Sequence, residues 1–127
     1  RITGDCPFVD AESLDYCIEQ AVSLAPFDLA TTKGAFPVGI DYEIYNAATM
    51  NELHASGQLD EEDREHLTLH LYRHAERFRM AQLQPRIEWR CTRTLTVDTA
   101  EDYHQAVETV QQLGAGVAIT QIAASYR

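Results

Sequence analysis

The chain opens Arg1-Ile2-Thr3-Gly4-Asp5-Cys6-Pro7-Phe8-Val9-Asp10. Arg1 to Asp5 reads as the end of a strand already under way, and an opening in mid-strand without Met hints at a fragment. Gly4 to Pro7 reads as the turn after that strand. Asp10 then caps a helix whose apolar positions Leu14, Cys17, Ile18, Ala21 and Val22 recur three, four, seven and eight residues after the first. Strand, turn and helix in succession point to an α/β layered domain.

The same order returns near the other end. Trp89 to Val97 is the best strand by composition, Asp98 falls just past it, and Thr99 caps a helix from Ala100 to Leu113 that Gly114 ends. Ligands of open α/β sheets bind outside the carboxyl ends of strands, so Asp5 and Asp98 are well sited to share a hard cation. From spacing alone, two independent turn or N-cap aspartates remain the simpler reading.

Between these landmarks, the first helix must end before Pro26 and Asp28 to Thr32 is a short strand candidate. Gly34 to Gly39 is a loop, and Ile40 to Tyr45 alternates as a half-buried strand does. Asn46 caps a short helix through about Ala55, and Gly57 breaks it. Asp60-Glu61-Glu62-Asp63 puts negative charge at the start of the next helix, expected from Glu61 to His74 with Leu67, Leu71 and His74 on one face. Val117 to Tyr126 fits either a short helix or a strand. About four strands can be found in all, and residues 1–127 read as a single domain.

Composition narrows the function classes. Ten Lys+Arg against twenty Asp+Glu give a formal charge of −10. That balance argues against nucleic acid as a partner, because such binding neutralises phosphates with basic side chains, and against a membrane surface. No apolar run approaches a spanning helix and no signal pattern opens the chain, so the expectation is a soluble, cytoplasmic protein. Cys6, Cys17 and Cys91 are odd in number and far apart, which speaks against a disulfide framework or a zinc knuckle.

His66, His70 and His74 are four apart, so one continuous helix would align them in a stripe able to hold zinc between two of them. The plainer reading is a polar helix face with one His turned to a pocket. Glu65-His66 as an acid/base pair is a weak signal, since adjacent helical residues diverge. Cys6 beside Asp5 is poorly placed to form a thiolate and reads as a small buried residue.

Four strings taken together resemble the cytidylyltransferases that make CMP-activated sugars, and most closely the branch for spore-coat polysaccharide biosynthesis. They are Arg1 to Asp10, Gly39-Ile40-Asp41-Tyr42-Glu43-Ile44, Arg64-Glu65-His66-Leu67-Thr68 with Tyr72 to Phe78, and Leu95 to Asp102, in family order. The resemblance implies a partial nucleotide-diphospho-sugar transferase-like layered domain, with a small mixed sheet flanked by helices. It implies Mg²⁺ held by Asp5 and Asp98, and it places Asp41, Glu43, Glu65 and His66 along the sugar side of the pocket. The chemistry implied is attack of a sugar hydroxyl on the α-phosphate of CTP, with pyrophosphate leaving.

The family's N-terminal half, whose first loop grips the triphosphate, has no counterpart in these residues. Gly114-Ala115-Gly116 lacks the Lys and Ser/Thr of a phosphate-binding loop. Ala75 and Ala100 stand where Pro is usual, and His70 where an aromatic is common. Three expectations follow. The chain is the C-terminal part of a cytidylyltransferase-like enzyme, inactive alone and acting on nucleotide-sugar small molecules when complete. Or it is a stand-alone binding or assembly module that self-associates, most simply as a homodimer, over exposed sheet edge and core face. Or it is a zinc protein built on the histidine stripe.

Overall fold

A computed structural model describes residues 1–127. Asp10 starts helix α1 (Ala11–Leu24) by accepting the Ser13 N–H at 2.7 Å. Its second oxygen accepts the Ile119 N–H at 2.7 Å, so the same carboxylate also anchors the start of α6 (Ile119–Ser125). The ambiguous C-terminal segment is therefore a helix.

Three short strands form the sheet in the order β2-β1-β3. Strand β1 (Leu29–Thr31) runs antiparallel to β2 (Glu43–Tyr45), with Leu29 opposite Tyr45. It runs parallel to β3 (Met80–Gln82), with Leu29 opposite Met80. The sheet is mixed and small, as expected.

Alternation along the central strand sends its side chains to two cores. Ala30 faces the larger one, where Trp89 is fully buried among Cys17, Ile40, Tyr42, Leu83, Ile119 and Ile122. Leu29 faces the smaller one with Leu53 of α2 (Ala47–Ser56) and Leu71 of α4 (Leu69–Arg73). Helices thus cover both faces. Asn46 caps α2 and Gly57 ends it at φ 71°. Thr99 and Asp102 form a reciprocal capping box for α5 (Ala100–Leu113).

Four expectations need correction. Arg1 to Asp5 is not a strand, although the Glu43 N–H does donate to the Arg1 carbonyl at 3.3 Å. Trp89 to Val97 is not one either. Trp89 closes a 3₁₀ turn (Ile87–Trp89), and the N–H groups of Thr92, Leu95 and Val97 go to Tyr126, Val38 and Asp5 in turn. Three bonds to three unrelated segments make no ladder, however favourable the composition.

The third correction concerns the helix expected from Glu61 to His74. It is two pieces, α3 (Glu61–Glu65) and α4, separated where His66 turns to φ −107°, ψ 93°. Thr68, beyond the break, gives its hydroxyl to Glu43 at 2.9 Å. Leu67 is exposed as a result, Leu71 is buried, and the three histidines do not form one stripe. Fourth, the apolar face of α1 is buried only in part. Cys17 and Ala21 are covered, whereas Val22 is 72% exposed and Ile18 44%.

Asp28 ties the edge of the sheet together. Its carboxylate accepts the Arg79 backbone N–H at 2.8 Å, two guanidinium bonds at 3.1 and 3.2 Å, and the Thr49 hydroxyl at 2.7 Å. Hydrogen bonds from Arg79 hold its pKa far below the ordinary carboxylate range. A depressed native pKa stabilises the fold above the unfolded value near 4, and that stabilisation fades as pH falls toward the native one. Asp28→Asn is therefore expected to melt several degrees lower than the parent at pH 7, with the gap closing as both are acidified below pH 4; thermal melts across pH 2 to 7 check this.

Candidate functional site

A polar groove of about 180 Å³ opens where β1 ends and β2 begins, lined by Arg1, Thr3, Thr31, Thr32, Lys33, Asp41, Tyr42 and Glu43. Glu43 is its electrostatic centre. Its Oε2 takes the Arg1 guanidinium at 2.6 Å, and its Oε1 takes the Thr68 hydroxyl at 2.9 Å and the Tyr72 hydroxyl at 2.8 Å. Burial pushes the Glu43 pKa up, but the bonds from Tyr72, Arg1 and Thr68 together outweigh it and hold the carboxyl below its ordinary value. Glu43 is an anion here.

The Tyr72 hydroxyl also lies 2.8 Å from Thr31 Oγ1, which accepts the Lys33 N–H at 3.1 Å. A phenol has one proton, and the carboxylate is the stronger acceptor, so Thr31 supplies its own proton to the phenol oxygen. The Lys33 ammonium stands 5.3 Å from the centre of the Tyr72 ring. Burial and the facing carboxylate both push the Tyr72 phenol well above its usual range, so it acts as a donor and not as a base.

The segments that carry the two aspartates expected to hold a cation are tied together at the Asp5 backbone. The Val97 N–H donates to the Asp5 carbonyl at 2.8 Å, and the Thr96 hydroxyl lies 3.3 Å from the same oxygen. Asp98 thus follows directly on the residue bonded to Asp5, and both aspartates are exposed. Asp98 is not the cap of α5; Thr99 is, and Asp98 gives its backbone N–H to Asp102. The Thr3 side chain holds the Asp5 carboxyl below its ordinary pKa.

Cys6 stands between Asp5 and Thr3 of the groove. It is 4% exposed, its Sγ lies 3.5 Å from Thr3 Oγ1 and 3.8 Å from Asp5 Oδ1, and burial pushes its thiol up, as a structural cysteine requires.

Asp5 and Asp98 fit a Mg²⁺ ion by donor chemistry, since that ion takes one or two carboxylates and fills its other positions with water and phosphate oxygens. No group of three or more metal-ligating side chains gathers anywhere in the chain. Of the four residues expected on the sugar side, Asp41 and Glu43 line the groove, with Asp41 accepting the Gly39 N–H at 3.0 Å. Glu65 and His66 lie at the helix break, exposed, and do not line it.

Sequence reasoning left without a role Arg1, Thr31 and Lys33, which line the groove, and Thr68 and Tyr72, which bond Glu43 without lining it. Thr68 and Tyr72 are four apart and so share a helix face, a usable signal in retrospect. Lys33, just past the carboxyl end of β1, carried another.

No family model matches the chain. It is 33% identical over 118 residues to the spore coat polysaccharide biosynthesis protein SpsF of Bacillus subtilis (strain 168), a match that takes in 90% of this chain and 47% of that protein. The chain spans about half the length of the curated relative it matches. Among solved structures, a cytidylyltransferase from Leptospira borgpetersenii serovar Hardjo-bovis (strain JB197) superposes with a TM-score of 0.81, over 98% of this chain and 53% of that one, at 23% identity.

Proposed function

From its relation to SpsF and its cytidylyltransferase fold, we propose that this chain is the metal-binding and sugar-facing part of an enzyme that transfers CMP from CTP to a sugar. The observation that carries the reading is the hydrogen bond from the Val97 N–H to the Asp5 carbonyl, which sets the backbone at Asp5 beside the segment that leads into Asp98. Asp5 and Asp98 would hold Mg²⁺, whose charge, when bound, offsets that of the triphosphate as a sugar hydroxyl replaces pyrophosphate.

The groove supplies what a polyhydroxyl ligand needs. Asp41 and the ionised Glu43 are acceptors, Lys33 is a donor, and the hydroxyls of Thr68 and Tyr72 hold Glu43 in place. Glu65 and His66, exposed and off the groove lining, contribute only from the outer margin. Nothing in the chain resembles the basic loop that grips a triphosphate, so alone it is expected to bind without turnover. Its setting is then the cytoplasm, among nucleotide-sugar metabolites.

A second reading has its own observation. Ile18 and Val22 form an exposed apolar stripe along α1, which suits self-association as a homodimer. The zinc reading has lost its geometry: His66 lies at the break, and His70 is buried with Nδ1 committed to Asp63.

Titration of the chain with Mg²⁺ and CTP by calorimetry, with light scattering on the same sample and an assay of pyrophosphate release, tests the proposal. Binding without pyrophosphate release is the expected result. Release of pyrophosphate by the chain alone would contradict the inactivity, and no binding by a clean dimer would favour the assembly module.

A further inference from the structure

Helix α4 has five residues and no side-chain cap, too short to hold itself together in water, yet it carries the Tyr72 hydroxyl to Glu43 of the groove. Something outside the helix must fix it. His70 and Tyr72 are two residues apart, about 200° around the helix, so while Tyr72 faces Glu43 the His70 ring faces away, toward α3. There its Nδ1 meets Asp63 Oδ2 at 2.8 Å, with both side chains at most 5% exposed.

Arg73 projects to the same side as His70 and closes the contact from outside. It donates to Asp63 Oδ1 and to Asp60 Oδ2, each at 3.0 Å, and pairs with Glu62. Asp63 is thus held by α3 through its capping box and by α4 through two side chains. It spans the break that replaces the expected continuous helix.

The His70 ring packs against His74, with centroids 4.5 Å apart, and against Phe78 at 6.2 Å; His74 in turn faces Glu76 at 3.9 Å. His70 Nε2 is the one buried side-chain nitrogen or oxygen with no hydrogen-bond partner. An orphan of this kind costs stability, and an apolar ring would fill the same space without it. What the imidazole adds over an apolar ring is the Nδ1–H bond to Asp63.

We propose that Asp63, acting through His70 and Arg73, is a positioning residue for the polar groove: it latches α4 to α3 so that Tyr72 stands against Glu43. The latch concerns the shape of the groove and holds whichever ligand the groove takes. Its test needs neither nucleotide nor metal.

The readout is the NMR signal, at neutral pH, of the Tyr72 ring carbon that bears the hydroxyl, on protein labelled at that carbon. A phenol bonded to a carboxylate and one in water give different shifts there, and the exposed Tyr103 supplies the solvated reference in the same spectrum. Asp63→Asn and His70→Phe are expected to move the Tyr72 signal most of the way to that of Tyr103. His70→Gln, whose amide can donate to Asp63, restores it to near the parent position. Ile122→Ala, which loosens the larger core away from the latch, leaves it unchanged. If both disruptive variants fail to fold, Arg73→Gln removes only the outer arm and is expected to move Tyr72 in the same direction by a smaller amount. An unmoved Tyr72 signal in the folded variants, or an equal move in Ile122→Ala, overturns the proposal.

Discussion

Gly39→Ala is expected to destabilise the protein by roughly 3 kcal/mol and to lower its melting temperature by about 10 °C. Two costs combine. Gly39 sits at φ +95°, where a Cβ crowds its own backbone, and that Cβ would also run into the Leu95 carbonyl and the Thr96 nitrogen. These are backbone atoms, held in place by the 2.7 Å bond from the Leu95 N–H to the Val38 carbonyl, and cannot swing aside. Gly34→Ala is the control. Its φ is +84° but nothing stands within 4 Å of the added carbon, so only the conformational cost of about 1 kcal/mol applies. Because the displaced segment leads directly into Asp98, Gly39→Ala should also weaken Mg²⁺ binding, whereas Gly34→Ala should not. Thermal melts and a metal titration on both variants check this.

Asp5→Asn and Asp98→Asn are each expected to weaken Mg²⁺ binding more than tenfold, above about 1.4 kcal/mol, while changing stability by less than about 0.5 kcal/mol. Stability is spared because both groups are exposed and neither caps a helix. The double variant is expected to bind about as weakly as either single one. Two ligands of one ion are not independent, and removing the second takes away an interaction that has already gone. Two unrelated surface carboxylates would instead give small, additive losses. The calorimetric double-mutant cycle separates these cases.

Much of the frame was legible where a local signal had no competitor. Asp10, Asn46 and Thr99 sit where helix caps are wanted, and all three cap helices. The alternation from Ile40 to Tyr45 agrees with burial of Ile40 and Tyr42, although only its last three residues pair as a strand. Reading failed where tertiary partners decide. Met80-Ala81-Gln82 has little strand character of its own, yet it lies beside the buried β1 and pairs in parallel with it. Trp89 to Val97 has abundant strand character and no neighbouring strand to join.

The candidate site divides in the same way. Asp41 and Glu43 belong to a motif that the chain folds locally, and they line the groove. Glu65 and His66 were read on a continuous helix, and the break between α3 and α4 leaves them outside it. The Thr68 and Tyr72 contacts with Glu43 span 25 and 29 residues, a closure that no spacing rule contains.

The cation site proposed at Asp5 and Asp98 joins residues 93 positions apart in sequence. Titration of ¹⁵N-labelled protein with substoichiometric Mn²⁺, a paramagnetic stand-in for Mg²⁺, locates the ion. Amide signals of residues 4–6 and 96–99 are expected to broaden first and together, and excess Mg²⁺ to restore them. Broadening that begins instead at the acidic run Asp60 to Asp63, or that reaches Asp5 and Asp98 at different metal concentrations, would contradict a shared site.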